Sequence, residues 1–165
     1  MPSTGTAQVT LPSDTEILIT REFDAPKELV YRAYTTPELV KRWWGGRRGN
    51  VTLAEIDLRV GGRWRYVLAA NEGFEVAFNG VFREIVPGER IVNTEVYEAM
   101  PEHEAVVTVT FSEEDGRTTL SMLSDMGSKE ARDGLIASGM EAGVQEGMDI
   151  LEEIAAELAA GEEGS

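Results

Sequence analysis

Apolar positions change their period along this chain, and the changes mark its elements. Over Glu16–Phe23 they alternate, with Ile17, Ile19 and Phe23 on one face of a strand and Arg21 between the last two. The period then lengthens to three or four. Asp24-Ala25-Pro26 opens a helix whose buried face is Leu29, Val30, Ala33 and Tyr34, because proline is tolerated in a first turn. Thr36-Pro37-Glu38 opens a second, with threonine as the cap, burying Leu39, Val40 and Trp43 and stopping at Gly45-Gly46. From Asn50 alternation returns. It predicts strands over 51–59, 63–69, 74–86, 90–97, 104–112 and 118–126, joined by turn residues such as Gly61-Gly62, Pro87-Gly88 and Asp115-Gly116. Trp64, Tyr66 and Leu68 share a face. So do Phe74, Val76, Phe78 and Phe82 with Gly80 among them, then Val107, Val109 and Phe111, and finally Leu120 and Met122.

Residues 128–158 are helical in period. Ile136, Met140, Val144, Met148, Leu151, Ile154 and Leu158 form one stripe, with Ser128 as the N-cap. Gly139, Gly143 and Gly147 recur every four residues along its flank. Each costs a helix about 1 kcal/mol relative to alanine. They serve either close packing on a sheet or a widened cavity. The order is strand, two short helices, six strands, one long helix. Short joints imply antiparallel pairing, and an apolar sheet face must be covered. The last helix is long enough to cover it, with a twisted, curved sheet wrapped around it. The expected class is α+β, with a disordered segment over 1–14, one domain over 15–159 and a frayed tail over 160–165.

The 165 residues suit one domain with a real core. Without cysteine there is no disulfide, thiolate zinc site or cysteine nucleophile. The first residues lack a basic start and an apolar run, and no stretch reaches membrane-spanning length, so a cytoplasmic protein without membrane insertion is expected. A net charge of −15 argues against nucleic acid. Arg42, Arg47, Arg48, Arg59, Arg63 and Arg65 cluster, which reads as a face paired with the acidic C-terminal stretch or as an anion-attracting rim.

Motifs for catalysis are sparse. The single histidine, His103, lies in a turn-like segment beside two acids and reads as a solvated loop residue. No nucleophile elbow, dinucleotide loop or phosphate loop is present, and no cofactor or metal site is indicated. Glu55, Asp57, Glu84, Asn93 and Glu95 are polar residues inside strands. They face solvent or pair with arginines such as Arg59 and Arg83, or else point into a cavity, where burial raises a carboxyl pKa. Asp57 reads as structural beside the Gly61-Gly62 turn.

Four stretches carry a family resemblance: FDAPKELVYRAYTTPELVKRWWG, DLRVGGRWRY, NGVFREIVPGERIVNTE and SGMEAGVQEGMDILEEI. In this order the sequence resembles the helix-grip fold of the START and polyketide-cyclase superfamily. Within it, the chain resembles proteins homologous to the C-terminal domain of the activator of the heat-shock-protein-90 ATPase, from about Glu16 to Leu158. The resemblance implies an apolar cavity between sheet and long helix. Its expected lining is Trp43, Trp64, Tyr66, Phe78, Val107, Val109, Met122, Met140, Gly143, Val144 and Met148. The expected function is binding of a small apolar or amphipathic molecule without catalysis. A cyclase- or dehydratase-type enzyme with a buried carboxyl and an interaction protein of the chaperone-activator type are the alternatives. The sequence has no room for a separate co-chaperone domain, and it leaves a homodimer and a chaperone partner open.

Overall fold

A computed structural model describes residues 7–44, 49–137 and 140–163. Eight strands form one open antiparallel sheet: β1 Gln8–Thr10, β2 Glu16–Phe23, β3 Gly49–Ile56, β4 Arg63–Ala70, β5 Glu75–Val86, β6 Arg90–Tyr97, β7 Glu104–Glu114 and β8 Arg117–Asp125. Their spatial order is β1-β2-β8-β7-β6-β5-β4-β3. From β3 to β8 each strand pairs with the next, as the short turns require. Register shifts between Val51 and Leu53 and between Phe82 and Glu84 are the bulges that bend such a sheet.

Helices α1 Lys27–Thr35 and α2 Pro37–Trp43 fill the connection from β2 to β3. Pro26 caps α1 with its carbonyl alone, which accepts from Leu29 and Val30. Thr36 departs from its expected side-chain cap. Its carbonyl accepts from Leu39 and Val40, while its hydroxyl donates back to Arg32 O at 2.6 Å, so the side chain finishes α1 instead of starting α2.

The described residues of the C-terminal stretch are helical over α3 Lys129–Ala137 and α4 Met140–Glu163. Ser128 does cap α3, accepting from Ala131 N at 3.1 Å. Ile136, expected on the buried stripe, is 38% exposed. Its helix packs Leu135 against Ile17 and Ile19, leaving Ile136 on the outside. Gly139 and the Gly45-Gly46 helix stop lie outside the described residues. Helix α4 runs on through 160–163, which were expected to fray.

The segment expected to be disordered also differs. Ala7 is buried, and β1 pairs with β2 across Gln8↔Thr20, Val9↔Ile19 and Thr10↔Leu18. Gln145 of α4 supplies the reason, because its side-chain amide clasps the Ala7 backbone from both sides. Ala7 N donates to Oε1 at 3.0 Å and Nε2 donates to Ala7 O at 2.7 Å. A short polar segment gains order from a distant residue, which no local pattern records.

Helices α1, α2 and α4 pack on one another over one face of the sheet. The core between them joins Phe23, Trp64, Phe82, Ile91, Val107, Val109, Phe111 and Leu120 of the sheet to Val30, Val40 and Trp43. Met148, Leu151 and Ile154 of α4 complete it. Each such side chain, fully buried, contributes about 2 kcal/mol.

Candidate functional site

Aromatic rings dominate one part of this interior. Register sets Tyr66 opposite Phe78 and Phe78 opposite Tyr97, so three adjacent strands present rings side by side. Phe78 and Tyr97 stack at 5.1 Å. Trp64 lies on Tyr66 at 4.9 Å, and Trp44 meets Tyr66 and Phe78 edge-on at 5.4 and 5.6 Å. From α1, Tyr34 stacks on Trp43 at 5.3 Å, and the Trp43 indole is fixed by donating to Ala33 O. Gly80 makes the wall possible. The Trp64 indole reaches across it to donate to Thr94 O at 3.1 Å, and a Cβ at Gly80 would overlap that same carbonyl oxygen.

Glu95 sits within this wall. Alternation along β6 gives it the face of Ile91, Asn93 and Tyr97, with Ala105 opposite on β7. Among the described residues, no hydrogen bond or ion pair reaches its carboxylate. Burial, which removes the hydration a charged carboxylate needs, pushes its pKa up to about 7. The Tyr34 hydroxyl is also raised, by burial first and by the Glu95 charge second. That of Tyr66 is raised by burial, then by Tyr34 and Glu95. All three side chains are part-buried.

The five strand polar residues therefore divide. Asp57 pairs with Arg59 at 2.9 Å, Glu84 pairs with Arg90, and Glu55 is exposed. Asn93 is buried, donating to Thr94 O, and Glu95 alone is the unpaired interior carboxyl among them. Of the expected lining residues, Trp43, Trp64, Val107, Val109 and Met148 belong to the core cluster, and Tyr66, Phe78, Met122 and Val144 pack part-buried against it. Gly143 is part-buried. The Met140 side chain lies outside the described residues. Val107 and Val109 pair with Asn93 and Ile91 of β6.

Two features were missed as parts of the interior. Tyr97, stacked on Phe78, adds a ring to it. Arg21 is buried and anchors α4, with Nη1 at 2.7 Å from Asp149 and Nη2 at 3.0 Å from Glu152. An arginine at an inward position of a strand, with two acids three residues apart on one helix, was the available signal.

The arginine cluster largely pairs within the fold. Arg42 meets Glu157 at 2.7 Å, and Arg65 forms a two-pronged pair with Glu98. That pair, with Asn79, holds the Glu98 carboxyl down to about 2. Arg47 and Arg48 lie outside the described residues. Arg63, Arg65, Glu55, Asp57 and Asn79, with Trp64 and Gly80, also border a groove of about 500 Å³ over β3 to β5. His103 is exposed near Glu102. No cluster of metal ligands occurs among the described residues, and no helix there is long and apolar enough to cross a membrane.

An open antiparallel sheet covered by a long C-terminal helix is the helix-grip architecture, a fold that commonly binds ligands. The chain belongs to the family described as Activator of Hsp90 ATPase homolog 1-like protein, which matches residues 24–156. Among solved structures it is similar to a protein from Rhodobacter sphaeroides, at 29% identity and a TM-score of 0.84, covering 91% of this chain and 98% of that one. A protein from Chromobacterium violaceum is 27% identical, with a TM-score of 0.73 over 84% of this chain and 96% of its own. One from Nitrosomonas europaea shares the fold at 23% identity and a TM-score of 0.80, over 91% and 99% of the two chains. No protein of curated function matches the chain.

Proposed function

We propose that the protein binds a small apolar or amphipathic molecule between the sheet and helices α1, α2 and α4, and does no chemistry on it. The observation that carries this reading is the wall itself. Tyr34, Tyr66 and Glu95 bring polar atoms into an aromatic enclosure and leave them part-uncovered and without hydrogen-bond partners among the described residues. Unpaired buried polar groups cost stability, and a ligand that satisfies them recovers it. Apolar walls with a few placed polar groups are what small-molecule sites present. Trp43, Trp64, Tyr66, Phe78, Val107, Val109, Met122, Met140, Gly143, Val144 and Met148 are the proposed surroundings. Binding without catalysis fits a carboxyl with no nucleophile or second acid hydrogen-bonded to it among the described residues.

Native mass spectrometry of freshly purified protein tests the reading, followed by thermal melts with a panel of small apolar and amphipathic compounds. A retained small molecule is expected. A ligand present at 100 times its Kd stabilises by about 2.7 kcal/mol, enough to raise Tm by several degrees. Ligand-free protein whose Tm no compound moves would overturn it.

A further inference from the structure

We propose that Glu95 makes this interior selective for a ligand carrying a protonated amine on an apolar body, an inference that rests on the interior being a binding site at all. Three observations converge on a cation. First, among the described residues no cation pairs with the carboxylate. The buried cation of the interior, Arg21, is already taken by Asp149 and Glu152. Second, the enclosure is built of Trp44, Trp64, Tyr66 and Phe78, each ring within 6 Å of another. Ring faces are electron-rich and attract ammonium groups while disfavouring anions. Third, the chain carries a net charge of −15, which concentrates cations around it.

Other ligand classes fit less well. A fatty-acid carboxylate would place like charge against Glu95. A neutral apolar molecule would strip remaining water from the carboxylate and offer nothing in return. An ammonium group donates to the carboxylate, and its remaining N–H groups can be accepted by the Tyr34 and Tyr66 hydroxyls, which sense the Glu95 charge.

Binding should follow pH with a definite sign. Burial pushes Glu95 to about 7, so protons compete with the amine below that pH. Facing groups do not confuse this. Tyr34 from α1 and Tyr66 from β4 are raised and stay neutral, and the Asn93 amide on the strand of Glu95 does not titrate. Arg21, Asp149 and Glu152 form their own cluster between β2 and α4.

The test is calorimetric titration of the full chain with two matched series: phenethylamine, 2-phenylethanol and phenylacetate, then octylamine, octanol and octanoate. In at least one series the amine should bind about tenfold more tightly than its alcohol, and the carboxylate most weakly. Amine affinity should fall by roughly tenfold from pH 8 to pH 6, while alcohol affinity stays level. Glu95→Gln should erase the preference for amine over alcohol and keep alcohol binding. An alcohol that binds as tightly as its amine, or amine selectivity that survives in Glu95→Gln, overturns the assignment while leaving the binding site intact. If no compound of either series binds, both this inference and the proposed function fall. Should Glu95→Gln not fold, the selectivity and pH dependence of the parent protein decide the matter alone.

Discussion

Glu95 ties protonation to stability in a direction opposite to most carboxylates. Its pKa is about 7 in the folded chain, against the usual 4.5. Below pH 4.5 it is protonated in both folded and unfolded states, and its penalty is absent. As pH rises through 7 the folded chain must ionise a buried group, and up to about 3 kcal/mol is lost. Urea unfolding at pH 5 and pH 8 measures this. Glu95→Gln should gain up to about 3 kcal/mol over the parent at pH 8 and show no such gain at pH 5. Glu98 works in the other window. Arg65 and Asn79 hold it down to about 2, so its contribution is present above pH 4.5 and disappears as pH falls towards 2. That pair is partly exposed, and its share is correspondingly small. Alternation alone could place Glu95 on the inward face with Ile91. It could not say that Glu84 and Asp57 would find arginines while Glu95 would not, because pairing depends on which side chains meet in space.

Strands and helices are held in place by a few residues whose removal has predictable effects. Gly80→Ala puts a methyl group into the Thr94 carbonyl and under the Trp64 indole. Overpacking of this kind costs about 1–3 kcal/mol. The hydrogen bond from Trp64 would break as well, shifting its fluorescence to the red in equilibrium spectra. Arg21 pins α4 to β2. Arg21→Met should cost about 3 kcal/mol by leaving Glu152 without its cation, and adding Glu152→Leu should recover part of that loss, read by urea unfolding of both variants. The period of apolar residues predicted the extents of β2 and β6 correctly and those of β4, β5, β7 and β8 to within two residues, most plainly in β2 and β7, where burial alternates residue by residue. It misplaced Ile136, which the three-to-four spacing put on the buried stripe and which is 38% exposed.

At the scale of the molecule, both edges of the sheet need cover, since an open edge invites pairing with other chains. Helix α2 packs on β3 at one edge, and β1 lines β2 at the other. Gln145→Ala should release β1, read as faster amide exchange over 8–10 and as concentration-dependent association, with β4 to β6 unchanged in protection. The sheet order was legible as a run of antiparallel neighbours. The eighth strand was not, because only three residues make it and their order depends on a partner 138 positions away. That clasp also has a consequence in time. During synthesis the glutamine that holds the first strand leaves the ribosome 138 positions after Ala7. Residues 7–10 must therefore wait, unclasped, until α4 is out, and this strand locks late. Loop-closure entropy makes such a distant contact slow to form. In refolding followed by pulsed amide exchange, protection at Val9 should arrive together with α4 and after the β7–β8 hairpin.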